Sequence, residues 1–131
     1  MIIEEWTMRL KDSLYTICRQ TADGADIRYE IRLDGKHGIY QAHFPGEPIT
    51  PGVCIIQTAN ELLEDYLHRR LELWTVKNVK FLGVISPRET PCVTYTFDSI
   101  TPDEETHGWK AQVKVSSEKG VLAKLSFVSK V

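Results

Sequence analysis

A chain of 131 residues, 42% hydrophobic and 26% charged, is long enough for one real core and too ordinary in composition for disorder. The longest apolar run, GVCII, cannot cross a bilayer, and a formal charge of −2 leaves no basic footprint for nucleic acid. Three cysteines without a C-x-x-C pair supply neither a disulfide framework nor a zinc site. The expectation is one domain spanning residues 1–131, with no metal or other cofactor and no membrane span, in a reducing cytoplasm. The N-terminus MIIEEWTMRLKD carries acidic residues where a secretory leader would carry basic ones.

In chain order, a short N-terminal helix is expected first. Residues 13–20, SLYTICRQ, alternate weakly. Residues 25–33, ADIRYEIRL, place Ile27, Tyr29, Ile31 and Leu33 on one face. Asp23-Gly24 between the two segments is a turn pair, so they read as an antiparallel hairpin.

A long helix follows, with Thr50 as N-cap, Pro51 at the first helical position, and an end near residue 70. At 100° per residue, Ile55, Ile56, Ala59, Leu62, Leu63, Tyr66 and Leu67 share a broad apolar arc. Cys54, Gln57, Glu61, Glu64 and His68 form a narrower polar stripe opposite. Asp65 and Arg69 stand at i, i+4 in the favoured order.

Four strands complete the chain: ELWTVKNVKFLG, PCVTYTFDSI, HGWKAQVKVSS and GVLAKLSFVSK, with Ser117–Gly120 as a hairpin tip. Two strands, one helix and four strands specify an α+β fold in which an antiparallel sheet of about six strands packs on one helix. Such a sheet leaves edges, and pairing two copies removes them, so a homodimer is expected. Positive charge at Arg69, Arg70, Lys77, Lys80 and Arg88 reads as a solvated face or as a surface for an acidic partner.

The chemistry concentrates in HFPGEPITPGV. Three prolines and two glycines after His43 constrain the backbone up to a helix start, where the amides near Gly52 and Val53 can receive a developing oxyanion. An isolated histidine in such a connector is more often a local hydrogen-bonding group than a base.

The longer fragment HFPGEPITPGVCII resembles the signature of the beta-hydroxyacyl-acyl-carrier-protein dehydratases, the FabA/FabZ-like members of the hot-dog superfamily. NVKFLGVISPRETPCVTY is similar to a later segment of that family, so the likeness spans roughly residues 35–97. It implies a helix wrapped by an antiparallel sheet, and a dimer with acyl tunnels shared across the subunit interface. It also implies a carrier protein, or coenzyme A, bearing a 3-hydroxyacyl thioester. A higher oligomer or a heteromer with a homologue is the other assembly it allows. His43 would be the base and Gly52 would offer its amide to the thioester carbonyl, with Val53, Pro51 and Phe44 around the substrate.

The acid should be residue 57, which is Gln57, and an amide has no proton to give a leaving hydroxide. Where the family commonly reads E-x-x-x-Q, this chain reads Gln57-Thr58-Ala59-Asn60-Glu61, the two groups exchanged over about 5.4 Å of helix rise. Three readings follow. In the first, the chain is a dehydratase in which Glu61 takes over the acid role from one turn further along the helix, with Gln57 or a water relaying the proton, and a carboxyl raised by an apolar tunnel would support it. Otherwise the chain is an acyl-carrier-binding subunit beside a complete homologue, or it hydrolyses thioesters with His43 or Glu61 activating water. A further reading of Glu61 makes it a solvent-facing charge continuing the stripe of Glu64 and His68.

His37 reads as a surface residue, and Cys54 as a buried structural cysteine. Tyr40, Phe44 and Trp74 suit a tunnel lining or the core equally. The family's usual proline-histidine-arginine-tyrosine-proline opening is absent, so the tunnel mouth is expected to differ.

Overall fold

The computed structural model of the chain describes residues 9–24, 26–42 and 46–131. Six strands, β1 (Tyr15–Asp23), β2 (Asp26–Leu33), β3 (Glu72–Phe81), β4 (Cys92–Asp103), β5 (Gly108–Ser117) and β6 (Gly120–Lys130), form one antiparallel sheet in the order β1-β2-β4-β5-β6-β3. A short helix α1 (Gly38–Ala42) and the long helix α2 (Gly52–Leu67) lie between β2 and β3. Among the described residues, no helix is long and apolar enough to cross a membrane. The expected N-terminal helix falls largely in residues 1–8, outside the described residues.

Alternation along the strands lays apolar rows across the sheet. Paired residues point to the same side, so Ile27, Phe97, Val113, Leu125 and Val79 make one row, and Tyr29, Tyr95, Val115, Ala123 and Phe81 the next. Tyr29 and Phe97 meet edge to face, with ring centroids 6.3 Å apart. Helix α2 packs Ile55, Ala59, Leu62 and Leu63 into the same buried core as these rows. All four residues expected on one face of β2 are buried.

Several boundaries differ from the sequence reading. Pro51, in an extended conformation, is the N-cap itself and offers no side-chain acceptor, and the helix starts at Gly52. Thr50 instead pairs its hydroxyl with the Tyr40 hydroxyl at 2.9 Å. Its amide donates to the Ile85 carbonyl at 2.8 Å, so the loop entering the helix is stapled to two other parts of the chain. The helix ends at Leu67 because His68 turns left-handed (φ 55°) and its N–H returns to the Glu64 carbonyl. Asp65 accepts from the Tyr29 hydroxyl at 2.7 Å and pairs with Lys11 at 3.5 Å, not with Arg69. Of the apolar arc, Tyr66 is exposed. His37 accepts the Ile39 amide on Nδ1 at 3.1 Å and so caps α1, a helix too short to announce itself by periodicity.

The largest departure concerns the polar stripe of α2. Glu61 is 3% exposed and Glu64 9% exposed. Neither faces solvent, because the chain from Arg9 to Tyr15 crosses the helix on that side, burying Leu10 and Leu14, bringing the Leu10 and Lys11 amides to Glu61 and the Arg9 guanidinium to Glu64.

Candidate functional site

The first turn of α2 forms one end of the site. With no capping side chain on Pro51, the helix begins with Cys54 and Ile55 donating back to the Pro51 carbonyl at 3.0 and 3.2 Å. The amides of Gly52 and Val53 precede every intrahelical bond, so they point outward with the positive end of the helix dipole. That arrangement can stabilise a carbonyl oxygen that gains charge.

Gly52 lies under the ring of Phe81, the last residue of β3. A Cβ at position 52 would sit 2.8 Å from Phe81 Cζ. Phe81 shares the side of Ala123, and therefore of the core, but it stands at the sheet edge and stays half-exposed. Sequence reasoning missed it. The available signal was its place in the period-two pattern of NVKFLG, on the inward side of a strand that α2 leaves partly uncovered. Gly52→Ala is expected to push this ring aside and lower stability by about 1 kcal/mol. Thermal melts, with a shift in the Phe81 ring resonances, would check this.

One turn along the helix, Gln57 Nε2 donates to Glu61 Oε2 at 3.0 Å. Glu61 takes three further donors: the Leu10 amide on Oε2 at 2.8 Å, the Lys11 amide on Oε1 at 2.9 Å, and the Tyr15 hydroxyl on Oε1 at 3.0 Å. Two oxygens meeting four donors form the hydrogen-bond set of an ionised carboxylate, which only accepts. Burial pushes the Tyr15 hydroxyl well above its usual range, and the Glu61 charge reinforces this, so Tyr15 remains a donor. Asn60 is equally committed, donating to the Leu71 carbonyl at 3.2 Å and accepting from Ser129.

Between α2 and the edge strand β3 runs an open groove of about 560 Å³. Val53, Ile56 and Gln57 line it near the first turn, Val76 faces them from β3, and Asn60 and Glu61 lie further along. Pro51 and Gly52 sit just beyond its head. His43 and Phe44 lie outside the described residues. Tyr40 is buried in the core. Trp74 borders a different depression of about 680 Å³ near the β4–β5 turn, with the Lys130 ammonium 3.5 Å over its ring.

Cys54 is buried beside this site, and burial pushes its thiol upward, with the Glu61 charge adding to the effect. Alkylation of the native protein is therefore expected to modify the exposed Cys18 and Cys92 and spare Cys54. Intact-mass measurement would check it, and labelling of Cys54 as fast as the other two would contradict its burial. Among the described residues, no group of three or more His, Cys, Asp or Glu side chains could hold a metal ion.

The antiparallel sheet packed on one long helix agrees with the fold of known proteins. The model of the ApeI-like family, described as ApeI dehydratase, matches residues 19–121. The 3-hydroxyacyl-[acyl-carrier-protein] dehydratase FabZ of Latilactobacillus sakei subsp. sakei (strain 23K) is 29% identical over 97 residues, covering 69% of this chain and 68% of that protein. Among solved structures, the dehydratase heterocomplex ApeI:P from Xenorhabdus doucetiae superposes with a TM-score of 0.64 at 16% identity, over 88% of this chain and 97% of that one. The putative thioesterase yhdA from Lactococcus lactis superposes with a TM-score of 0.57 at 9% identity, over 99% and 95%. At such identities the two structures speak for the hot-dog fold alone. The match to the family model covers most of the sheet and the whole of α2, and on that extent the chain belongs to the ApeI-like family of hot-dog dehydratases.

Proposed function

We propose that this chain binds a 3-hydroxyacyl thioester, carried by an acyl carrier protein or coenzyme A, and supplies the base half of a dehydratase site. His43 removes the proton alpha to the thioester carbonyl. The amides of Gly52 and Val53 receive the charge that develops on that carbonyl. The general acid comes from the corresponding helix of a homologous subunit, so the working enzyme is a heteromer.

The observation that carries this reading is the occupation of Glu61. An acid must hold a proton before the reaction and release it toward the leaving hydroxyl. Glu61 has four donors on its two oxygens and lies beneath Gln57, so neither residue of this helix face has a proton to give. The ApeI:P dehydratase heterocomplex, a structure of the same fold, supports an assembly of unlike subunits.

The test mixes the purified chain with a homologue that carries a carboxylic acid on its helix and whose own histidine is replaced by alanine. Conjugated enoyl thioester is expected from the mixture, little from either protein alone, and none when this chain carries His43→Ala. Vigorous dehydration by this chain alone would overturn the reading. So would release of free thiol without enoyl product, which would mark a thioesterase.

A further inference from the structure

The groove changes character along its length. Beside Val53, Ile56 and Val76 its walls are apolar, whereas its far end is bordered by Arg9, Glu64, Arg70 and Glu72. β3 runs antiparallel to α2, so this charged end lies where the helix hands over to the strand. Arg9 and Glu64 are no loose surface pair. Glu64 Oε1 takes Arg9 Nη1 at 3.1 Å, while Glu64 Oε2 takes the Leu71 amide at 2.7 Å. The residue after Arg9 is held in turn, its amide donating to Glu61 Oε2 at 2.8 Å. Arg9 keeps 44% of its side chain in solvent and Glu64 only 9%.

We propose that the Arg9–Glu64 pair closes the acyl groove and restricts this chain to short and medium 3-hydroxyacyl tails. The inference rests on the reading of this groove as the acyl site. From Gln57, where the hydroxyl carbon would lie, to Glu64 is seven residues, about 10 Å of helix. A tail of that reach passes Asn60 and Glu61 on the helix side, whose polar groups are already bonded within the chain, and packs on Val76, Leu73 and Leu71 on the other. A longer one must lie against the ion pair, excluding water from both charges and returning no hydrogen bond, which is strongly unfavourable. The absent proline-rich opening of the wider family belongs to the same account, since in this chain the segment before β1 carries the arginine that forms the closure.

The experiment measures binding of 3-hydroxyacyl pantetheine thioesters, from four to sixteen carbons, to the purified chain in its own oligomer. Affinity is expected to rise about fourfold per added methylene while the tail meets apolar wall, then to stop rising once it reaches the pair. The double variant Arg9→Met/Glu64→Gln, which removes both charges and keeps an acceptor for the Leu71 amide, is expected to move that break to longer tails. Arg9→Lys, which keeps the charge, is expected to retain it. Affinity climbing without a break to sixteen carbons, or the same break in the double variant, would overturn the closure while leaving the acyl site intact. Binding at no length would instead sink the acyl-site reading, and the closure with it.

Discussion

Gln57→Glu is expected to turn this chain into a dehydratase that works without a homologue, raising its rate by roughly 10² to 10⁴. The introduced carboxyl would stand about where Gln57 Nε2 now lies, 3.0 Å from Glu61 Oε2. Two carboxyl groups that close cannot both ionise. Glu61 keeps three donors of its own, from Leu10, Lys11 and Tyr15, and so holds the negative charge. The proton then resides on the newcomer, which becomes a carboxylic acid at the groove with a charged neighbour behind it. Enoyl product formed by this variant, and its disappearance on adding His43→Ala, would be measured by absorbance of the conjugated thioester. A correctly folded variant no faster than the parent would show that position 57 does not face the leaving hydroxyl.

Glu61→Gln is expected to cost about 3 kcal/mol of stability, although it changes a single heavy atom. The glutamine amide offers one acceptor oxygen where two served four donors, and because the Leu10 and Lys11 amides sit on different oxygens, its NH₂ must face one of them, a group that can only donate. Each buried donor left without an acceptor costs about 1–3 kcal/mol. The loss should be local as well as global. Chemical denaturation would give the overall drop, and hydrogen exchange should find the amides of Leu10 and Lys11 unprotected while those of β4 and β5 remain slow. An unchanged midpoint with Leu10 and Lys11 still protected would mean that Glu61 does not anchor the segment before β1. Glu61→Ala should remove the same protection, which separates the anchor from any effect special to glutamine.

These two expectations differ in kind because the two residues are read differently from sequence. Gln57 is singled out by the resemblance of HFPGEPITPGVCIIQ to the dehydratase signature, and that an amide at that position is no acid is a matter of side-chain chemistry alone. The setting of Glu61 is not legible in this way. Helical periodicity assigns it to a polar stripe with Glu64 and His68, and only the path of residues 9–15 over that stripe makes two of the three buried. Which chain segment covers a helix is a long-range property, invisible to a window of three or four turns.

Strand positions were legible for a local reason. Alternation of apolar and polar residues is a period-two signal carried within each segment, and all four strands after α2 appear where it places them. So do the hairpin at Ser117–Gly120 and the inward face of Ile27, Tyr29, Ile31 and Leu33. The pairing of β3 was not legible, since nothing in ELWTVKNVKFLG says that it joins β6 instead of its neighbour β4. That choice carries Phe81 over Gly52 and leaves Val76 bordering a groove.

The amino-acid sequence by itself determined the elements, the apolar faces and the chemical nature of the helix residues, because these depend on side-chain type and on neighbours a few residues away. Tertiary structure alone decided that β3 lies at the sheet edge, that the segment from Arg9 to Tyr15 crosses the helix, and that Glu61 accepts four hydrogen bonds. Those outcomes depend on contacts between residues some fifty positions apart in the chain, where burial of one surface against another, not local conformational preference, sets the energy.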